Sequence, residues 1–203
     1  RPLDSNEQSS LWEAFPGAPG GSHFKLSVVP CFGPAAQAAT VALINAMLRS
    51  GLIPAWLKRA LLLWMSKPNG GLRGISLLEE LLKAVEAVVT RRLEESIHAH
   101  PPGRVLSESN VGFQKGRGST LVLDVLADFW DEARQYPQRK LAHVPWDYVG
   151  YFDRIDTAVP DAVLKARGVP DSAACLLVEA HSTNATLSAL MPWGPTPPVT
   201  RKV

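Results

Sequence analysis

The chain has 203 residues, 46% hydrophobic and 20% charged, so it holds the material for an apolar core and is not a disordered polyelectrolyte. Its net charge of +2 is unevenly spread: residues 58–117 carry ten Lys/Arg against six Asp/Glu, and residues 118–203 carry eight against ten. That suits a phosphate-contacting segment followed by a metal-binding one, or equally the solvated faces of ordinary helices. Cys31 and Cys175 lack metal-ligand spacing and read as reduced intracellular thiols, and no run approaches the ~18 apolar residues of a membrane span.

Residues 1–33 are rich in Pro, Gly and Ser and show neither helical nor strand periodicity. They read as a linker or a loosely packed extension. The start, Arg1-Pro2-Leu3-Asp4, has neither Met nor a signal-peptide core, which reads as a piece of a longer chain. The spacing of Val41, Ile44 and Leu48 predicts a helix over 34–50, with Pro34 in its first turn and Gly51 as its left-handed stop. The apolar run 60–66, the turn Pro68-Asn69-Gly70-Gly71 and residues 72–75 predict a β-hairpin with Lys67 and Arg73 flanking its tip.

Ser76-Leu77-Leu78-Glu79 fits a capping box for a helix running toward Ala99, with Leu78, Leu81, Leu82, Val85, Val88, Val89 and Leu93 on one face and a Glu79–Lys83 pair. A glycine-rich loop, 112–118, precedes a helix capped by Ser119 or Thr120, with Val122, Val125, Leu126, Phe129 and Ala133 aligned. Residues 141–146 read as a strand ending at Asp147. Helices are expected over 158–167 and 171–181, and a strand beginning at Thr183. The proline-rich tail 192–198 cannot run inside a sheet.

Three segments carry the chemical signal: Lys67-Pro68-Asn69-Gly70-Gly71-Leu72-Arg73-Gly74-Ile75-Ser76, Asn110-Val111-Gly112-Phe113-Gln114-Lys115-Gly116-Arg117-Gly118-Ser119-Thr120, and Val144-Pro145-Trp146-Asp147-Tyr148-Val149-Gly150-Tyr151-Phe152-Asp153. In that order and spacing they resemble the reverse transcriptases of non-LTR retrotransposons and group II introns, over roughly residues 52–190. The resemblance implies an α+β right-hand polymerase fold, helix-rich with a β-hairpin and a short palm sheet. Residues 34–140 would be fingers-like, and 141–203 an incomplete palm.

It further implies roles. Lys67 and Arg73 would contact the phosphates of a deoxynucleotide triphosphate, Lys as a point charge and Arg as a planar fork. Gly112, Phe113, Lys115 and Arg117 would lie near an RNA template and a DNA primer. Asp147 would be the catalytic aspartate and, with the backbone carbonyl of Tyr148, a ligand of Mg²⁺. Phe152 would screen out a ribose 2′-hydroxyl, while Asp153 would cap a helix start. A retroelement implies work inside the cell, in nucleus or organelle.

The chain departs from the family pattern at several points. Gly74 stands for a proline, Asn110 for a glutamine and Tyr151 for a small residue, and Pro145 removes a ladder donor from the expected strand. No Asp-Asp pair occurs, and no carboxylate follows Glu179. The expected function is therefore a fragment of an RNA-directed DNA polymerase, inactive alone. The alternative is a non-catalytic, retroelement-derived module that binds nucleic acid or protein.

Overall fold

A computed structural model of the chain describes residues 1–13, 18, 20–99, 110, 112, 116–136, 138, 142, 144–146, 155–179, 186–191, 194–197 and 199–200. The described residues form helices α1 (Ser5–Ser10), α2 (Pro34–Ser50), α3 (Glu80–His98), α4 (Ser119–Gln135), α5 (Ala158–Ala166) and α6 (Asp171–Glu179). The strands are β1 (Arg59–Ser66), β2 (Leu72–Leu78), β3 (Thr186–Met191), β4 (Gly194–Pro195) and β5 (Val199–Thr200). The chain is thus α+β and helix-rich with a small mixed sheet. It divides into two compact units, one of residues 1–94 with 152–203 and one of residues 95–151.

In the first unit, β1 and β2 pair antiparallel from Ala60–Leu78 to Ser66–Leu72. On its other side β1 pairs in parallel with β3, from Arg59–Thr186 to Leu62–Ala189. The short β4 and β5 lie antiparallel to β3, and Pro195 sits in the two-residue end strand β4, where a missing donor is tolerated. The core lies among the helices: α2 turns Ile44, Met47 and Leu48 inward, and α3 contributes Leu81, Leu82, Val85, Val88 and Val89. Ile44 and Leu48 of α2 and these five residues of α3 lie on the stripes that the 3–4 spacing predicts, while Met47 is an addition and Leu78 belongs to β2. Gly51 ends α2 with φ +72° and donates its N–H to the Met47 carbonyl at 2.9 Å. A Cβ there would stand 3.0 Å from the Ser172 Cα of α6, so glycine also permits that close approach.

The start of α3 differs from the sequence reading. Ser76 does not cap a helix: β2 continues through it to Leu78, with Ser76 opposite Leu62, and α3 begins at Glu80. Extending the ladder outweighs a local cap worth about 1 kcal/mol. The expected Glu79–Lys83 pair is also replaced. Buried Glu79 accepts from the Ser22 N–H at 3.0 Å and from the Ser22 hydroxyl, while Lys83 Nζ donates to the Ala18 carbonyl at 2.8 Å.

Those contacts correct the reading of residues 1–33 as linker or loose extension. Asp4 caps α1 in a reciprocal box with Glu7, the Glu7 N–H donating to Asp4 Oδ1 at 2.9 Å and the Asp4 N–H to Glu7 Oε2 at 3.0 Å. The Leu3 N–H donates to Asn45 Oδ1 of α2, and the Leu26 N–H to buried Glu80 Oε1 of α3. Leu3, Leu11, Leu26 and Val29 are core residues. One six-residue helix and a 3₁₀ turn over Leu26–Phe32 are too short to show periodicity, which is why the composition misleads.

Gly20 lies against the backbone where β2 passes into α3. A Cβ there would stand 2.7 Å from the Glu79 nitrogen and 2.8 Å from its Cα. Because the obstacle is backbone, Gly20→Ala is expected to cost about 1–3 kcal/mol. The check is a thermal melt, with the midpoint falling by several degrees.

In the second unit, α4 starts at Ser119 after an extended Gly118, and no side chain caps it, in place of the expected Ser119 or Thr120 cap. Its apolar residues align as predicted, yet none is buried. Phe129 and Trp130 meet edge to face at 5.8 Å. The expected palm strand over 141–146 is not seen at Val144, Pro145 and Trp146, which lie outside any strand and are exposed. Pro145 has no N–H for a ladder. Leu141 and His143 lie outside the described residues.

Candidate nucleic-acid interface

The β1–β2 hairpin is built in two halves. Near its base, Arg59–Leu62 is held between β2 and β3. Beyond Leu62 the described pairing of β1 is with β2 alone, so the distal half projects from the sheet. Every residue from Trp64 to Ser76 is exposed. The turn closes through the Lys67 N–H donating to the Gly71 carbonyl and the Gly70 N–H to the Lys67 carbonyl, both at 3.1 Å. Gly70 and Gly71 take φ +81° and +83°, a region that residues with a Cβ rarely enter.

This register sets two of the predicted site residues at the same turn. Lys67 follows Ser66 of the closing Ser66–Leu72 pair, and Arg73 stands one position further, opposite Met65. Neither side chain has a hydrogen-bond or ion-pair partner among the described residues. No carboxylate occurs anywhere from Arg59 to Leu78, so the cations Arg59, Lys67 and Arg73 are not neutralised from within the hairpin. Exposed, fully hydrated cations of this kind bind phosphate mainly by releasing its counterions.

Gly74 has a role that sequence reasoning missed. It stands directly opposite Trp64. A Cβ on Gly74 would come within 2.9 Å of Leu62 Cδ1 and 3.4 Å of Trp64 Cζ3. Glycine at position 74 therefore makes room for the cross-strand side chains of Leu62 and Trp64. The signal was available, because pairing outward from the turn puts position 64 opposite 74.

The other predicted residues are more scattered in what is described. Gly112 is exposed and donates its N–H to Asn110 Oδ1 at 3.1 Å, so Asn110 serves a local turn. Gly116 has φ +75°, and Arg117 is exposed two positions before α4. These belong to the second unit and the hairpin to the first. Phe113, Lys115, Asp147, Tyr148, Phe152 and Asp153 lie outside the described residues.

Among the described residues no group of three or more His, Cys, Asp or Glu is placed to hold a metal ion. The donor chemistry in the sequence is also thin. One carboxylate, Asp147, and one carbonyl, Tyr148, do not make a centre for two divalent ions ~3.5–4 Å apart. Asp147 and Tyr148, which the resemblance assigns to Mg²⁺, lie outside the described residues, and no chemical step is derived through the ion. No described helix is long and apolar enough to cross a membrane. No protein-family model matches the chain, and no curated protein matches it significantly.

Proposed function

We propose that this chain is a fragment of a retroelement-type RNA-directed DNA polymerase, inactive alone, whose fingers-like hairpin contacts nucleic-acid phosphates. The observation that supports this reading is the projecting hairpin with Lys67 and Arg73 beside its closing pair and no carboxylate along its length. RNA template, DNA primer and deoxynucleotide triphosphates are its partners on this reading. A second reading, a non-catalytic retroelement-derived binding module, is favoured by the Trp64–Gly74 pairing and by Pro145. Both remove features of the resembled pattern without removing the cations.

Titrating a labelled single-stranded RNA at several salt concentrations tests the proposal. The double variant K67A/R73A is expected to bind more weakly and to lower the log–log salt slope by about 1.4, roughly 0.7 per lost phosphate contact. Binding by the native chain with no salt dependence, or an unchanged slope in the variant, would overturn the phosphate assignment. Repeating the titration with Mg²⁺ separates the two readings. Triphosphate binding that needs Mg²⁺ supports the polymerase fragment, and Mg²⁺-indifferent RNA binding supports the module.

A further inference from the structure

Phosphate contact by Lys67 and Arg73 leaves Trp64 without a role. This residue is 47% exposed, in the part of β1 beyond its pairing with β3. Its ring edge lies 3.4 Å from where a Cβ of the cross-strand Gly74 would stand, beside Leu62 Cδ1 at 2.9 Å. An aromatic covering a cross-strand glycine is a familiar way to secure a hairpin, and that task uses one side of the ring. The remainder faces solvent.

The neighbours on this hairpin face follow from the register. Ser66 and Leu62 flank Trp64 along β1, and Leu72 and Ser76 flank Gly74 along β2. Both serines are small, and Leu72 is itself exposed, so the indole is bordered by low or apolar groups. In the loop directly after Ser66, three positions from Trp64, stands Lys67. Strand alternation puts Arg73, opposite Met65, on the other face.

An open aromatic surface three positions from an unpaired cation, on a hairpin without a carboxylate, is complementary to a polyanion that also carries flat apolar faces. A protein segment would match the apolar surface, and the cations only if it were acidic, but it would not present a regular row of anions beside flat faces. A duplex would match the charge but keeps its base faces stacked. We propose that Trp64, seated over Gly74, is a stacking platform for an unpaired base of a single-stranded nucleic acid, with Lys67 meeting an adjacent phosphate. The proposal rests on the nucleic-acid reading of the hairpin and adds the contact that discriminates single strands from duplexes.

The test is fluorescence anisotropy with a labelled oligodeoxythymidine of about 12 nucleotides, within the range such grooves occupy. The intact chain is compared with Trp64→Phe, Trp64→Leu and K67A/R73A, and each is also titrated with an abasic strand and a duplex of the same length. The expected result is an affinity loss of about 5- to 100-fold in Trp64→Leu, with most affinity kept in Trp64→Phe, as for loss of one stacked base. The salt slope of Trp64→Leu should stay that of the native chain, and the abasic strand should bind the two equally. If K67A/R73A loses binding while Trp64→Leu does not, the platform is wrong and the phosphate reading stands. Equal binding of base-bearing and abasic strands, or of single strand and duplex, by the native chain overturns the platform without relying on any variant's folding. No binding of any oligonucleotide overturns both.

Discussion

Glu7→Ala is expected to destabilise the protein by about 3–5 kcal/mol, the range for removing one partner of a buried ion pair. The Glu7 side chain is buried and accepts from Arg92 at 2.7 and 2.9 Å, with Arg91 Nη2 at 3.2 Å. Arg92 also donates to the carbonyls of Arg1 and Pro2. The cluster therefore fastens the first residues of the chain to α3. Losing it frees the segment that carries Leu3 and Leu11 into the core. Against a typical total of roughly 5–15 kcal/mol, that is a large share.

The same group has a pH signature. Hydrogen bonds from Arg92 hold the Glu7 carboxyl below its ordinary 4.5, at about 2, against the opposing effect of burial. A depressed carboxyl stabilises the folded state above its unfolded pKa and loses that contribution as pH falls toward the folded one. The shift corresponds to about 3 kcal/mol, present at neutral pH and lost progressively between about pH 4.5 and 2. Urea midpoints across that window should fall more steeply in the native chain than in Glu7→Gln. Parallel curves would show that this cluster is not what acid breaks.

A second large effect is expected at the centre of α3. Leu82 is fully buried, and Leu82→Ala should cost about 2–5 kcal/mol through lost burial and the cavity left behind. Leu123 sits in the second turn of α4 and is 61% exposed. Leu123→Ala should change stability by no more than about 0.5 kcal/mol. Urea unfolding of the two variants makes the comparison. A matching loss at both positions would mean that Leu123 is covered in solution.

That pair of leucines shows where the sequence is informative. Both helices are legible from their 3–4 spacing, and α2 is legible to the residue because Pro34 and Gly51 act locally, within one turn. The hairpin is legible for the same reason: Asn69-Gly70-Gly71 allows few other backbone paths. Its two cations follow from the turn alone. Burial is different. Periodicity says that α4 has an apolar face, but whether anything covers that face depends on residues far away in the chain.

The amino-acid sequence by itself determined the helix-rich α+β character, the limits of α2, the hairpin turn and the positions of Lys67 and Arg73 flanking it. All of these depend on dihedral preferences and hydrogen bonds between near neighbours. Only the tertiary structure decided that residues 1–33 belong to the core, that Ser76 lies in a strand and that Gly74 accommodates Trp64. Glu7 meets Arg92 across 85 positions, Ser22 meets Glu79 across 57, and β1 finds β3 more than a hundred residues on. Such contacts leave no local pattern, because each is fixed by the packing of whole elements rather than by the preferences of the residues beside it.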